Sequence, residues 1–533
     1  VTFRRLCPPL ALALLALAIG PTTPARAAVV ADSGSLGFQV YTPPTALGGT
    51  NAEEPSIGND HVNDTTMYLS GLQTFNVKFN DATAPATATW TDVSAPLTSV
   101  TSLDPILFTD SEQGRTWVSQ LSGQDSLSEY TIDDGTTWTP SNGGGIPSGP
   151  DHQSIGAGPY NPAGVPPTGT VYPNAVFYCS QAVASAFCAR SDTGGLNYGA
   201  GVPIYTFDQC GGLHGHIRVS PSGLDMVPNQ NCDKQIDVGA GANQAANGGN
   251  FPFQAVVVSA DNGNTWTVST VPDSHASLRS DPSVAADKAN KVFFAYEDAV
   301  TNTSGTQVGG LAKIATATTN STTGAFTWSP SVDVGAPFGI KNVQFPEVIA
   351  GDSGRAAYAF LGSTTGGNPE STAFTGVWYL YVAITLDGGA SYTVTNVTPS
   401  DPVERGCTYL SGQATNDCPS TKRNLLDFMD ITVDKSGRTL VGYADGCTAA
   451  CDQGQTCNGP VCDTGAGAST AREAQIARLQ CGFSLYAHFD NTYACAGAAV
   501  VPEAAWGAVL LAAGAAAAVP IIVRRQRRVT RFA

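Results

Sequence analysis

Short runs of apolar residues, each closed by a polar turn, recur along the chain, and no central stretch sustains a helical period. The pattern is plainest in Val284-Ala-Ala-Asp-Lys-Ala-Asn-Lys-Val292-Phe-Phe-Ala-Tyr296, in Val348-Ile-Ala-Gly-Asp-Ser-Gly-Arg-Ala-Ala-Tyr358 and in Ile431-Thr-Val-Asp-Lys-Ser-Gly-Arg-Thr-Leu-Val441. Each reads as strand, tight turn, strand. Seven segments of related form open such units: Glu54-Pro-Ser56-Ile57, Asp104-Pro-Ile-Leu107, His152-Gln-Ser154-Ile155, His214-Gly-His216-Ile217, Asp281-Pro-Ser283-Val284, Phe345-Pro-Glu347-Val348 and Phe428-Met-Asp430-Ile431. The seventh unit runs short, because cysteine-rich sequence interrupts it and only Glu473-Ala-Gln-Ile-Ala-Arg-Leu479 follows. Its missing outer strand is expected from Leu36-Gly-Phe-Gln-Val-Tyr41 near the N-terminus.

An eight-residue turn appears intact three times: Thr131-Ile-Asp133-Asp-Gly135-Thr-Thr137-Trp138, Ser259-Ala-Asp261-Asn-Gly263-Asn-Thr265-Trp266 and Thr385-Leu-Asp387-Gly-Gly389-Ala-Ser391-Tyr392. Its Asp can fold back on local backbone N–H groups, its Gly can take a positive φ, and its aromatic can plug into apolar packing. Weaker copies are read at Ser191-Asp192-Thr-Gly-Gly195-Leu-Asn197-Tyr198, at 321–328 and at 110–117. The motif resembles the Asp-box, or BNR, hairpin of sialidases and related β-propellers. That resemblance, with the repeat starts, implies an all-β chain forming one β-propeller of four-stranded blades, seven in number. Six is the alternative, since sialidases have six and Asp104-Pro-Ile-Leu107 is the weakest start. The resemblance also implies a structural role for the motif, with Trp138, Trp266 and Tyr392 buried between strands.

Composition supports a single large β-structure: Gly (58) and Pro (34) are abundant and only 13% of residues are charged. A net charge of −17 argues against nucleic acid as a partner. Arg4-Arg5, the apolar stretch 8–19 and Ala25-Arg26-Ala27 read as a secretory signal peptide over 1–27, and the initial Val as a bacterial GTG start. The propeller is expected over 28–490 and a linker over 491–503. Residues 504–523 form a hydrophobic run followed by the basic tail 524–533, expected as a transmembrane helix or a surface-sorting signal with its tail on the cytoplasmic side. The membrane is then a partner through this C-terminal helix, and the propeller faces outside, at the cell surface or beyond it.

Beyond Cys7 in the leader, the even set of cysteines suits disulfides in an oxidising compartment. Cys179 and Cys188, Cys210 and Cys232, Cys407 and Cys418, and Cys481 and Cys495 each flank a short segment, while Cys447, Cys451, Cys457 and Cys462 crowd one insertion whose connectivity stays open.

The repeat starts are where chemistry is expected, because in a propeller they ring the axis on one face. Glu54, Asp104, His152, His214 and Asp281 occupy the first position; Ser56, Ser154, His216, Ser283, Glu347 and Asp430 lie two residues on, hence on the same side of an extended strand. Two readings compete: these groups cap strand ends and bind neighbouring blades, or they form a divalent-metal or acid/base site, with His216, Glu347 and Asp430 as the catalytic candidates. Glu54, His152, His214, Asp281, Arg218, Arg279 and Arg423 are the ligand-binding candidates. No cofactor is identified with certainty.

A sialidase would clamp its substrate carboxylate with three arginines, and the early Phe/Tyr-Arg-Ile/Leu-Pro segment is absent from the mature chain. Arg355 and Arg438 sit in equivalent Gly-Arg turns and read as structural. The functional expectation is therefore an exported, surface-anchored propeller binding a glycan or protein ligand at its axial face. The alternatives are a sialidase-like glycoside hydrolase using axial carboxylates and arginines, and a structural surface protein.

Overall fold

The computed structural model describes residues 27–490 and Cys495, apart from 84, 100–103, 123–124, 143–150, 183–184, 207–208, 212–213, 234–251, 278, 411–416, 449–450 and 452–470. Seven antiparallel sheets follow one another along the chain. Their first strands are Ser56–Asp60, Ile106–Asp110, Asp151–Pro159, Arg218–Val219, Ser283–Ala286, Asn342–Ala350 and Asp430–Val433. These strands pack against one another in ring order, which makes the assembly a seven-bladed propeller with four-stranded blades. Asp104-Pro-Ile-Leu107 does open a blade, so the six-blade alternative is set aside.

The ring closes as the short seventh unit requires. Gly37–Tyr41 pairs antiparallel with Glu473–Cys481, and Phe38 lies opposite Leu479. The chain immediately before this strand was not expected to pair, yet Ala28–Ala31 runs parallel to Ser391–Asn396 on the outside of blade six. Asp81 of blade one then receives both Arg438 and Arg478 of blade seven, with Arg478 Nη1 at 2.7 Å. Burial opposes ionisation of Asp81, but the two guanidinium groups outweigh it and hold the carboxyl down at about 2. Arg355 likewise donates to Ser484 O and pairs with Asp490.

Each intact Asp-box forms the hairpin between the third and fourth strands of its blade. In blade four, Asp261 accepts from Thr265 N (2.8 Å) and Thr265 Oγ1 (2.7 Å), while Ser259 Oγ accepts from Gly263 N (2.8 Å). The same set recurs around Asp133 and Asp387. At Ser191 the box survives without its Asp: Gly195 N donates to Ser191 Oγ and Asn197 N to Thr193 Oγ1, both at 2.9 Å. The box glycines have positive φ, and they also permit close approach to the preceding blade. A Cβ on Gly263 would stand 2.6 Å from Phe177, and one on Gly135 2.6 Å from Val93.

Two expectations about the box need correction. Residues 110–117 form the first hairpin of blade two, between its inner strand and Arg115–Ser122, and so are not a third-to-fourth turn. Tyr392 is buried, but Trp138 and Trp266 are only half-buried, because an outer hairpin has a neighbouring blade on one side and solvent on the other. Asp261→Ala, which removes the hydrogen bonds within one turn, should therefore cost about 1–3 kcal/mol and lower the melting temperature with ligand affinity unchanged.

Five disulfides join Cys179 to Cys188, Cys210 to Cys232, Cys407 to Cys418, Cys447 to Cys451, and Cys481 to Cys495. They fit an oxidising, extracellular environment. Cys457, Cys462, residues 1–26 of the expected signal peptide (1–27), and the hydrophobic run and basic tail over 504–533 lie outside the described residues. Among the described residues no helix is long and apolar enough to cross a membrane.

Candidate functional site

Side chains two residues apart on an extended strand share a face, so the inner strands stack their polar residues in tiers along the axis. In the upper tier Glu54, Asp104, His152, His214, Asp281 and Phe428, from six blades, converge on one cleft, which Gln153 and His216 also line. Phe345, the equivalent residue of blade six, turns into apolar packing instead. The cleft holds about 260 Å³ counting space open to solvent, but its interior has room for only about one water or ion.

Three of the first positions share an unusual backbone conformation, whichever way the side chain turns. Glu54 (φ 46°), His152 (φ 46°) and Phe345 (φ 53°) all occupy the left-handed region that non-glycine residues seldom adopt. Strand pairing slips beside two of them, between Asp151 and Ser154 and between Gln344 and Glu347. Such bulges bend a strand and redirect its side chains, and strain of this kind concentrates at functional sites.

The upper tier is electrostatically mixed. His152 Nδ1 lies 2.9 Å from Asp281 Oδ2 across the channel. Burial favours neutral His152, but Asp281, then Asp427 and Asp151, outweigh it and raise the imidazole to about 10. Burial lowers His214, whose Nδ1 faces Gly215 O at 3.0 Å and whose Nε2 has no partner among the described residues. Desolvation, with Asp427 and Asp104 nearby, pushes Glu54 well above the usual carboxylate range, and desolvation takes Asp104 to about 6. The Glu54 Oε2 atom is buried and has no hydrogen-bond donor among the described residues, while the Asp427 carboxyl lies within hydrogen-bonding reach of the Glu54 carboxyl.

His152 supplies a pH test. Its folded value lies above the free value of 6.5, so the pair's stabilisation is complete below that pH and is lost as pH rises through about 10. Urea midpoints should fall between pH 6.5 and 10 in the wild type, and His152→Gln should flatten that fall.

In the lower tier both readings of the repeat positions hold, at different residues. Ser154 Oγ accepts from Ile217 N (2.8 Å), Ser283 Oγ from Val348 N (3.1 Å), and Asp430 Oδ2 from Ile57 N (3.0 Å), each clamping the next blade. His216 does no such thing. It makes no hydrogen bond to the described residues, its Nδ1 is buried and unpartnered, and its ring meets Phe428 edge-on at 4.5 Å. Desolvation, reinforced by Arg218, depresses its basicity strongly. His216, Glu347 and Asp430 come together from blades four, six and seven, with one donor atom of each within 4.8 Å of the others. Glu347 accepts from Ser283 Oγ at 2.8 Å, and burial followed by the nearby Asp430 raises its carboxyl well above the ordinary range.

Below this trio, Arg218 reaches across the channel from blade four to Asp430 Oδ1 at 3.1 Å. The other candidate arginines have different partners: Arg279 binds Asn368, Gln307 O and Glu370, and Arg423 binds Asp427 and Leu410 O. The three guanidinium groups share no partner. Asp427, Phe428 and Gln153 were missing from the expected site, and Asp104 was placed in the axial ring but given no binding or catalytic role. Asp104 and Phe428 had a legible signal, since both occupy the aligned first position.

No protein-family model and no curated protein matches the chain. Among solved structures, a PL25 ulvan lyase is similar over 74% of this chain and 92% of its own, at 10% identity and a TM-score of 0.41. A Hadza microbial sialidase matches over 70% of this chain and 64% of its own, at 14% identity and a TM-score of 0.37. A GH74 xyloglucanase from Xanthomonas campestris matches over 76% and 53%, at 10% identity and a TM-score of 0.40. At such scores the similarities carry no argument of their own.

Proposed function

We propose that this chain is an exported propeller that binds a glycan across its axial mouth, with one polar group of the ligand entering the cleft. The observation that carries the reading is the convergence of six inner-strand residues on one opening, with buried Glu54 Oε2 and His214 Nε2 atoms that have no hydrogen-bond donor or acceptor of their own among the described residues. Buried polar atoms without partners are costly, so a ligand supplying hydrogen bonds there gains affinity. Sugar hydroxyls donate to carboxyl oxygens, and the half-buried ring of Phe428 offers an apolar face to sugar C–H groups.

Hydrolysis has one observation in its favour: Glu347 and Asp430 approach within 4.8 Å, near the roughly 5–5.5 Å of retaining glycosidases. Both carboxyls are buried beneath a cleft with room for about one water, however, so a sugar ring has no seat between them. Dispersed arginines also argue against an anionic-sugar clamp. Membrane anchoring through the C-terminal segment belongs to the same proposal.

The test is a glycan panel probed for binding, and an aryl-glycoside panel including a sialoside probed for turnover. Binding without turnover, weakened about tenfold or more in Glu54→Gln at unchanged melting temperature, is the expected result. Turnover abolished by Glu347→Gln would establish the hydrolase reading instead. Neither binding nor turnover would leave the structural role.

A further inference from the structure

We propose that His216, Glu347 and Asp430 form a site for one divalent transition-metal cation of the zinc class, in the axial channel beneath the cleft. This goes beyond ligand binding at the mouth and does not depend on it.

Three blades far apart in sequence each contribute one donor, and these atoms lie within 4.8 Å of one another. All three residues are buried, His216 being 8% exposed. A structural histidine at that depth ordinarily fixes its ring nitrogens by hydrogen bonds. His216 has none to the described residues, and its Nδ1 faces no partner. The carboxylates, by contrast, are oriented from outside, as metal ligands are. Ser283 Oγ donates to Glu347, and the Ile57 and Ile431 backbone N–H groups and Arg218 donate to Asp430. Asp430 Oδ1 already accepts two of these bonds, so lone pairs for an ion remain on Asp430 Oδ2 and Glu347 Oε2, each of which accepts one.

Access agrees with the assignment. His216 also lines the cleft, so an ion entering the mouth meets this side chain on its way inward. The cleft's room for about one ion fits a cation better than an organic cofactor.

The donor set selects the metal. Calcium prefers six to eight oxygens and magnesium keeps most of its waters, whereas one imidazole with two carboxylates and an open position suits zinc or a neighbouring first-row cation. Tetrahedral zinc ligands at about 2.0–2.2 Å stand roughly 3.4 Å apart, so the trio, whose donors lie within 4.8 Å of one another, must close by up to about 1.4 Å.

The experiment measures metal in the untagged, exported chain after loading with one equivalent of zinc and dialysis, with cobalt loading as a spectroscopic check. We expect about one zinc per chain and visible d–d absorption on cobalt loading, with content falling at least tenfold in both His216→Ala and Glu347→Gln. His275→Ala, altering an exposed histidine, and Glu54→Gln, altering the mouth, should retain the metal. Zinc should raise the melting temperature of the wild type but not of the two site variants. Wild-type protein that retains neither zinc nor cobalt overturns the proposal, as does undiminished content in folded His216→Ala. If His216→Ala does not fold, the near-isosteric Glu347→Gln decides on the same criterion. Because Glu54→Gln separates mouth from metal, loss of glycan binding with metal retained rejects neither reading by confusion with the other.

Discussion

Arg218→Met should destabilise the propeller by about 3–5 kcal/mol, because it leaves a buried carboxylate without its counter-charge. Arg218 crosses the axis to Asp430 at 3.1 Å, and both side chains are largely enclosed. Asp430 would keep the Ile57 and Ile431 N–H donors, which places the effect within that range rather than above it. Adding Asp430→Asn should recover part of the loss, since the uncompensated charge disappears with it. A double-mutant cycle read by urea unfolding checks this. Equal, additive losses in the two single variants would show that the ion pair is not coupled and that each residue acts through its other contacts.

Removal of residues 28–41 should have the larger effect and abolish the soluble monomer. Gly37–Tyr41 is the only partner of the outer edge of Glu473–Cys481 among the described residues, and its loss would expose a strand carrying buried Ala474, Ile476, Ala477 and Leu479. An unpaired apolar edge is a template for association. The truncation also removes the parallel strand on blade six and opens the ring. Size-exclusion chromatography of the truncated chain should show aggregates or no soluble protein. A monomeric, cooperatively melting product would mean that the blade-to-blade contacts close the ring without the N-terminal strand.

The architecture was legible because its signals are local. Asp261, Gly263 and Thr265 specify their turn by hydrogen bonds within a few residues, so the motif can be read from consecutive letters and located without any knowledge of the remaining chain. The seven starts then supply the blade count, and a last unit without an outer strand implies an N-terminal one. Local signals also misled: residues 110–117 share the letters of the box but join different strands, and the spacing of Trp138 and Trp266 says nothing of how much neighbouring blade covers them.

The site was legible only as a set of equivalent positions. Alignment of the starts selected His216, Glu347 and Asp430 as strand residues facing one axis, and the ring brings them within 4.8 Å. It could not separate Asp430, which clamps Ile57 N, from His216, which clamps nothing, because hydrogen-bond satisfaction depends on the neighbouring blade's backbone. Nor could it tell that Arg218 spans the channel while Arg279 and Arg423 bind elsewhere, since a long side chain's partner is set by distances across the fold. Sequence alone thus determined the strand periodicity, the turn chemistry and the strand that closes the ring, and favoured seven blades over six, because its signals come from near-neighbour sterics and hydrogen bonding repeated along the chain. Tertiary structure decided which axial groups are paired, which are left with free lone pairs, and how little space lies between them, because desolvation and contact across the axis exist only once seven distant segments share one channel.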